Sequence, residues 1–95
     1  MRRMREFYEQ VLEVIGRHTG FSHMQILHDR HEMCTDARYL LVHFLAERLK
    51  CNEIVYLTGL PKQTVSQIIN NYHARAKFKY SIRSTAKMIE LELFG

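Results

Sequence analysis

Apolar residues recur every three or four positions near the start of the chain, which predicts an amphipathic first helix. The apolar positions are Met4, Phe7, Val11, Val14 and Ile15. Glutamate and arginine side chains occupy the opposite side of this helix. Gly20 follows the last periodic residue and can end the helix, whose apolar side then needs a partner surface.

Residues 21–50 predict a short helix, a loop and a long central helix. Ser22 is a good N-cap for the short helix. The letters HDRHEMC, residues 28–34, lose all periodicity and predict a loop. Thr35 or Asp36 can cap a third helix over residues 37–50. That helix is apolar over most of its circumference, so we expect it to be the most buried one.

Asn52 can cap a short fourth helix that ends at a Gly59 turn, and Pro61 can open a fifth helix at its first position. Ser81 or Ser84 can begin a last helix. No segment alternates apolar and polar residues between turn signals, as a strand would. The sequence therefore predicts an all-α protein of five to six helices, forming a single domain over residues 1–95.

The apolar spacing around Gly59 is typical of a helix-turn-helix, in which a few buried positions hold the second helix against the first. Relative to Gly59, apolar residues stand five before, one after, six after and nine after. These positions are Ile54, Leu60, Val65 and Ile68. We predict a helix-turn-helix over about residues 52–73, although any packed helix pair can produce this spacing.

The outward side of the fifth helix predicts contacts with a DNA major groove. Its amides can pair with adenine, its hydroxyls with several base edges, and a lysine with guanine or phosphate. The candidate base-reading residues are Lys62, Gln63, Ser66, Gln67 and Asn70. Thr64 lies near the helix N-terminus, where free N–H groups can donate hydrogen bonds to a phosphate.

The distribution of charge favours the same partner. Residues 1–53 carry eight acidic and eight basic side chains, whereas residues 54–89 carry six basic and no acidic ones. The positive excess therefore surrounds the predicted helix-turn-helix and favours a polyanion such as nucleic acid, with an anionic membrane surface as the other candidate.

The segment HARAKFKYSIR follows the predicted fifth helix and alternates basic with aromatic residues. It reads either as a phosphate-contacting extension or as a link whose aromatics anchor the last helix. Both hold if Phe78 and Tyr80 point inward while Lys77 and Lys79 point outward. Together with Arg75, these two lysines are candidate phosphate contacts.

In residue identity as well as in spacing, LTGLPKQTVSQII resembles the helix-turn-helix of bacterial transcription regulators. A longer stretch, beginning VIGRHTGFSHMQIL, resembles the C-terminal DNA-binding domain of the bacterial replication initiator DnaA, within the Trp-repressor-like group. The points of similarity are Val14-Ile15, Ile26-Leu27, Ala37-Arg38 and Thr64-Val65.

The resemblance implies this fold, double-stranded DNA binding, and a role as a transcription regulator or replication-associated module. It also implies that Arg30 and His31, in the family's basic loop, contact the DNA backbone or minor groove, and that Arg38 contacts phosphate. Where the family has an Arg-Asp-His-Thr reading set, this chain has residues 60–63, Leu-Pro-Lys-Gln. The initiator role is therefore not carried over.

Other chemistries have weaker support. His28, His31 and Cys34 recur at three-residue intervals, but a structural zinc site needs four ligands, so we expect no metal. No nucleophile motif, paired-carboxylate signature or cofactor loop occurs, and we expect neither enzyme activity nor a cofactor. Cys34 and Cys51 are expected to be reduced thiols.

Three questions of partner and location remain. The chain has no apolar run of about 18 residues, so we expect no membrane partner. We expect a cytoplasmic protein that is associated with a bacterial nucleoid or encoded by a phage or mobile element. A homodimer or a larger protein partner stays open. The alternative function is a protein–protein interaction adaptor without direct DNA contact.

Overall fold

Residues 2–95 of the computed structural model form six α-helices and no β-strand. The helices are α1 (Arg2–Thr19), α2 (His23–His28), α3 (Glu32–Leu45), α4 (Cys51–Thr58), α5 (Lys62–Phe78) and α6 (Tyr80–Phe94). The predicted all-α class is confirmed. None of these helices combines the length and apolarity needed to cross a bilayer.

The boundary between α1 and α2 follows the local sequence signals. Gly20 has a φ of 81° and its N–H donates to the Gly16 carbonyl over 2.7 Å. The Ser22 hydroxyl accepts from the Gln25 N–H, and the Gln25 side chain accepts from the Ser22 N–H, at 3.2 and 2.8 Å. This reciprocal capping box confirms Ser22 as the start signal of α2.

The predicted bounds of the third helix are wrong at both ends. α3 begins at Glu32, before Thr35 and Asp36, because the His31 imidazole Nδ1 accepts from the Met33 N–H over 3.2 Å and serves as the cap. In its first turn Glu32 and Met33 are exposed and only Cys34 is buried, so this turn carries no apolar period. The helix ends at Leu45, and residues 46–49 form turns and a bend.

The predicted central position of α3 is confirmed. It packs against α1, α2, α5 and α6, and buries seven of its side chains. Those side chains are Cys34, Ala37, Leu40, Leu41, Val42, Phe44 and Leu45. The core therefore lies around α3, while α4 packs against α5.

Three further helix starts differ from the predicted ones. α4 is capped one residue before Cys51, at Lys50, whose N–H donates to the Glu53 carboxylate over 2.8 Å, and Asn52 lies inside the helix. Pro61 is the N-cap of α5 rather than its first residue. α6 follows Lys79 instead of a serine. Pro61 and Lys79 form no side-chain cap hydrogen bond, so the preference for Ser, Thr, Asp and Asn at the N-cap does not locate these two starts.

At the junction between α5 and α6, Lys77 is exposed as predicted, but the other three side chains have the opposite orientation to the predicted one. α5 continues to Phe78, which is 82% exposed, and Tyr80 is 74% exposed. Lys79 is half-buried and reaches Glu32 and Asp36 on α3. The predicted inward aromatics and outward Lys79 are therefore wrong, because two carboxylates of α3 attract the lysine.

Candidate nucleic-acid interface

The turn between α4 and α5 is stabilised by its own hydrogen bonds. Gly59 has a φ of 74°, a conformation that favours glycine, and its N–H donates to the Val55 carbonyl over 2.9 Å. The buried Thr58 hydroxyl donates to the Ile54 carbonyl over 2.7 Å and accepts from the Leu60 N–H over 3.1 Å. These bonds fix the direction in which α5 leaves the turn.

Beyond the turn, one side of α5 is anchored in the core. The four apolar positions predicted for the helix-turn-helix, Ile54, Leu60, Val65 and Ile68, are all buried, which confirms their spacing. Farther along α5, Tyr72 and Ala76 are buried on the same side. Ile69, projected onto this side as well, lies at its edge and is 37% exposed.

An aromatic stack ties α5 to α3. The rings of His43 and Tyr72 lie 3.8 Å apart between centroids and are inclined by only 4°. Burial lowers the pKa of His43 and raises the pKa of Tyr72, so both side chains are neutral at neutral pH. A neutral stacked pair therefore holds the middle of α5 in place.

The opposite side of α5 carries most of the predicted base-reading residues. Lys62, Gln63, Gln67 and Asn70 are exposed, and within residues 2–95 none of them forms a hydrogen bond or an ion pair through its side chain. Ser66 is half-buried, with its hydroxyl 3.9 Å from the Cys51 sulfur. Since α5 contains no acidic residue, this side presents unpaired amides without a carboxylate.

Four of the predicted phosphate contacts lie at or near the surface. Arg30 and Lys77 are exposed and form no ion pair with any described residue. His31 is exposed as well, although its ring caps α3. Thr64 is half-buried in the first turn of α5.

Two of the predicted phosphate contacts, Arg38 and Arg75, bond inside the protein. The Arg38 guanidinium donates from Nε to the Ile26 carbonyl over 2.8 Å, at the end of α2. Arg75 donates from Nε to the Asp36 carboxylate over 2.7 Å and lies 4.6 Å above the Tyr39 ring. Both guanidinium groups therefore join helices.

Lys79 also serves a structural contact. Its Nζ lies 2.9 Å from a carboxylate oxygen of Glu32 and 3.2 Å from one of Asp36. The hydrogen bond between Lys79 and Glu32 raises the pKa of the lysine and lowers that of the glutamate. Lys79 and Arg75 thus share Asp36, which links the start of α3 to the end of α5.

Three cationic or titratable residues that were not predicted as contacts lie beside the exposed side of α5. His73, Arg83 and Lys87 line an open groove between α5 and α6, together with Lys77. Arg83 and Lys87 are four residues apart and so share one side of α6. Their place in the acid-free stretch was the available signal, but the sequence did not show that α6 folds back along α5.

The histidine-rich segment has no metal-binding geometry in the structure. Within residues 2–95, no three His, Cys, Asp or Glu side chains lie together as metal ligands would. Cys34 is buried and Cys51 half-buried, and both are free thiols.

Comparisons of the chain with protein-family models, with curated proteins and with solved structures found no significant match. The case for this interface therefore comes from its own residues.

Proposed function

We propose that this protein binds double-stranded DNA sequence-specifically, with α5 in the major groove. One observation carries the proposal: α5 is anchored on one side and presents unpaired amides, without any carboxylate, on the other. A helix is the right width for the major groove, and Gln and Asn amides can pair bidentately with adenine there.

The proposed contacts divide into two kinds. Gln63, Gln67 and Asn70 read base edges, with Lys62 and the half-buried Ser66 beside them. Lys77, with Arg30, His31 and Thr64, contacts phosphates and sets the register of the protein on the duplex. Arg38, Arg75 and Lys79 support these contacts by holding helices together, since their charged groups already have internal partners.

The biological setting proposed is that of a cytoplasmic bacterial, phage or mobile-element protein acting in transcription or replication. Kinship with the DnaA-type DNA-binding domain is part of the proposal, and the motifs quoted above are its support. A homodimer would require two half-sites about one helical turn apart, whereas a monomer would not.

Fluorescence anisotropy of the protein with a labelled random duplex tests this function. With Arg30 and Lys77 as cationic phosphate contacts and Lys62 beside them, affinity should fall about 10- to 40-fold between about 50 and about 200 mM salt. Lys77→Ala should weaken binding to all sequences and lower the salt slope, whereas Gln67→Ala should mainly reduce discrimination between cognate and random DNA. Absent or salt-independent binding by the wild-type protein would contradict the proposal.

One observation favours the adaptor as a second candidate. Tyr80, Met88 and Leu91 are exposed on the same side of α6, and exposed apolar residues on one side of a helix suit a protein contact. An adaptor would show negligible DNA affinity. In that case Leu91→Lys should abolish its protein contact, measured by pull-down, while Gln67→Ala should leave that contact intact.

A further inference from the structure

The structure divides the six cations of the acid-free stretch into groups with different surroundings. Arg75 and Lys79 are bound by carboxylates of α3, and Lys62 stands alone at the start of α5. The other three, Lys77, Arg83 and Lys87, line one groove between α5 and α6. Half of this stretch's positive charge is therefore gathered at one place on the surface.

That groove has a volume of about 450 Å³ and is open to solvent. His73 lines it beside the three cations, and the stacked rings of His43 and Tyr72 form part of its wall. Glu90 is the only carboxylate among its lining residues. With three cations against one anion, the groove attracts negative charge.

The cations of the groove differ in how they are held. The Arg83 guanidinium donates from Nη1 to the carbonyls of Ala76 and Lys77, over 3.0 and 2.6 Å, which fixes it at the end of α5. Lys77 and Lys87 form no ion pair within residues 2–95. Their ammonium groups are therefore available to an external anion, beside a guanidinium already fixed in position.

The groove begins where the proposed reading side of α5 ends. Lys77 follows Asn70 by seven residues, about two helical turns, and so stands on the same side of α5. It also lines the groove. A duplex lying along Gln63, Gln67 and Asn70 would bring its sugar-phosphate backbone to Lys77 and then across to α6.

We infer that the groove between α5 and α6, lined by His73, Lys77, Arg83 and Lys87, binds phosphates of the DNA backbone flanking the bases that α5 reads. This inference rests on the proposed DNA binding. It adds Lys87 and Arg83 of α6 to the interface beside Lys77 of α5, and it leaves Arg75 and Lys79 as structural residues.

The test compares Lys87→Gln with Arg5→Gln in anisotropy titrations of one duplex over a series of salt concentrations. Both variants lose one exposed positive charge, but Arg5 lies on α1 and is not among the residues that line the groove. Lys87→Gln should weaken binding several-fold and lower the salt slope by about one, while Arg5→Gln should leave the slope unchanged. Lys87 has no internal partner, so melting temperatures should match the wild type.

A second arm replaces flanking phosphates of the duplex with neutral methylphosphonates. At the contacted positions, wild-type affinity should fall and Lys87→Gln should bring no further loss.

Salt-dependent wild-type binding with no change in Lys87→Gln would overturn the groove inference alone. Absence of salt-dependent wild-type binding would overturn the proposed function as well. A third outcome is that tripolyphosphate binds the wild type, Lys87→Gln weakens that binding, and Lys87→Gln leaves DNA affinity unchanged. This outcome would assign the groove to free phosphates and contradict the inference.

Discussion

The two sides of α5 share one backbone but have opposite relations to the rest of the protein. On the buried side, Val65, Ile68 and Tyr72 pack into the core, and Tyr72 stacks on His43. On the exposed side, Gln63 and Gln67 have no partner among the described residues. The buried side fixes where the helix lies, so the exposed side is left free for a ligand.

The same contrast separates neighbouring cations at the end of α5. Arg75 and Lys79 turn toward the carboxylates of α3, whereas Lys77, between them in sequence, faces solvent. Positive charge in this stretch therefore has two uses. Part of it joins helices, and the rest remains available at the surface.

The largest effect on folding is expected on the buried side. Ile68→Ala removes three carbon atoms from a side chain that is only 3% exposed, and should lower the free energy of unfolding by about 2–4 kcal/mol. Urea denaturation measures this loss. Its matched control is Gln67→Ala at the adjacent exposed position, and equal losses from the two changes would break the contrast.

A smaller effect is expected at the inward cations. Asp36→Ala removes the acceptor of the 2.7 Å bond from Arg75 and should cost about 1–2 kcal/mol of stability, measured by thermal denaturation. DNA affinity should stay the same or rise, because a negative charge is lost and Arg75 loses its carboxylate partner, while Lys79 keeps its ion pair with Glu32. A stable variant with weakened DNA binding would show that Asp36 positions the interface instead.

The His43–Tyr72 stack predicts a pH dependence of stability. Burial lowers the pKa of His43, so near pH 6 the unfolded chain binds a proton more readily than the folded one. The neutral, buried His43 therefore makes its full contribution to the free energy of unfolding above about pH 6.5, the ordinary pKa of histidine, and this contribution is lost as the pH falls below that value. Hydrogen bonds lower the pKa values of Glu32 and Glu92, so protonation of these two carboxylates reduces the stability only at more acidic pH.

His43→Phe keeps a ring against Tyr72 but cannot be protonated. Its unfolding free energy should therefore change less than that of the wild type between pH 7.5 and pH 5.5, as measured by urea denaturation at both values. An unchanged pH dependence in His43→Phe would assign the effect to other groups.

The smallest effect on folding is expected on the exposed side. Gln67→Ala should change stability by less than about 0.5 kcal/mol, because its side chain contacts no described partner. Its discrimination between cognate and random DNA should fall by about 1–3 kcal/mol in competition anisotropy. A large loss of stability, or unchanged discrimination, would remove Gln67 from the reading set.

Local rules predicted the parts of the fold that depend on neighbouring residues. The Ser22 cap, the Gly59 turn and the buried spacing of Ile54, Val65 and Ile68 all follow from signals within a few positions. Sequence also indicated which side of α5 is exposed, since helical period alone decides that.

The rest depended on contacts between residues far apart in the chain. Lys79 turns inward because Glu32 and Asp36 lie beside it, more than forty residues earlier in sequence, and this leaves Phe78 and Tyr80 exposed. No periodic pattern contains that information. Likewise, Arg83 joins the candidate site only because α6 folds back along α5.

NMR titration of the uniformly 15N-labelled protein with a DNA duplex tests the central claim most directly. The side-chain NH2 signals of Gln63, Gln67 and Asn70 should shift most, together with backbone amides of α5, because these groups would meet base edges. Signals of the buried α3 core should stay in place. Absence of shifts on α5, or shifts confined to the exposed apolar side of α6, would contradict the account.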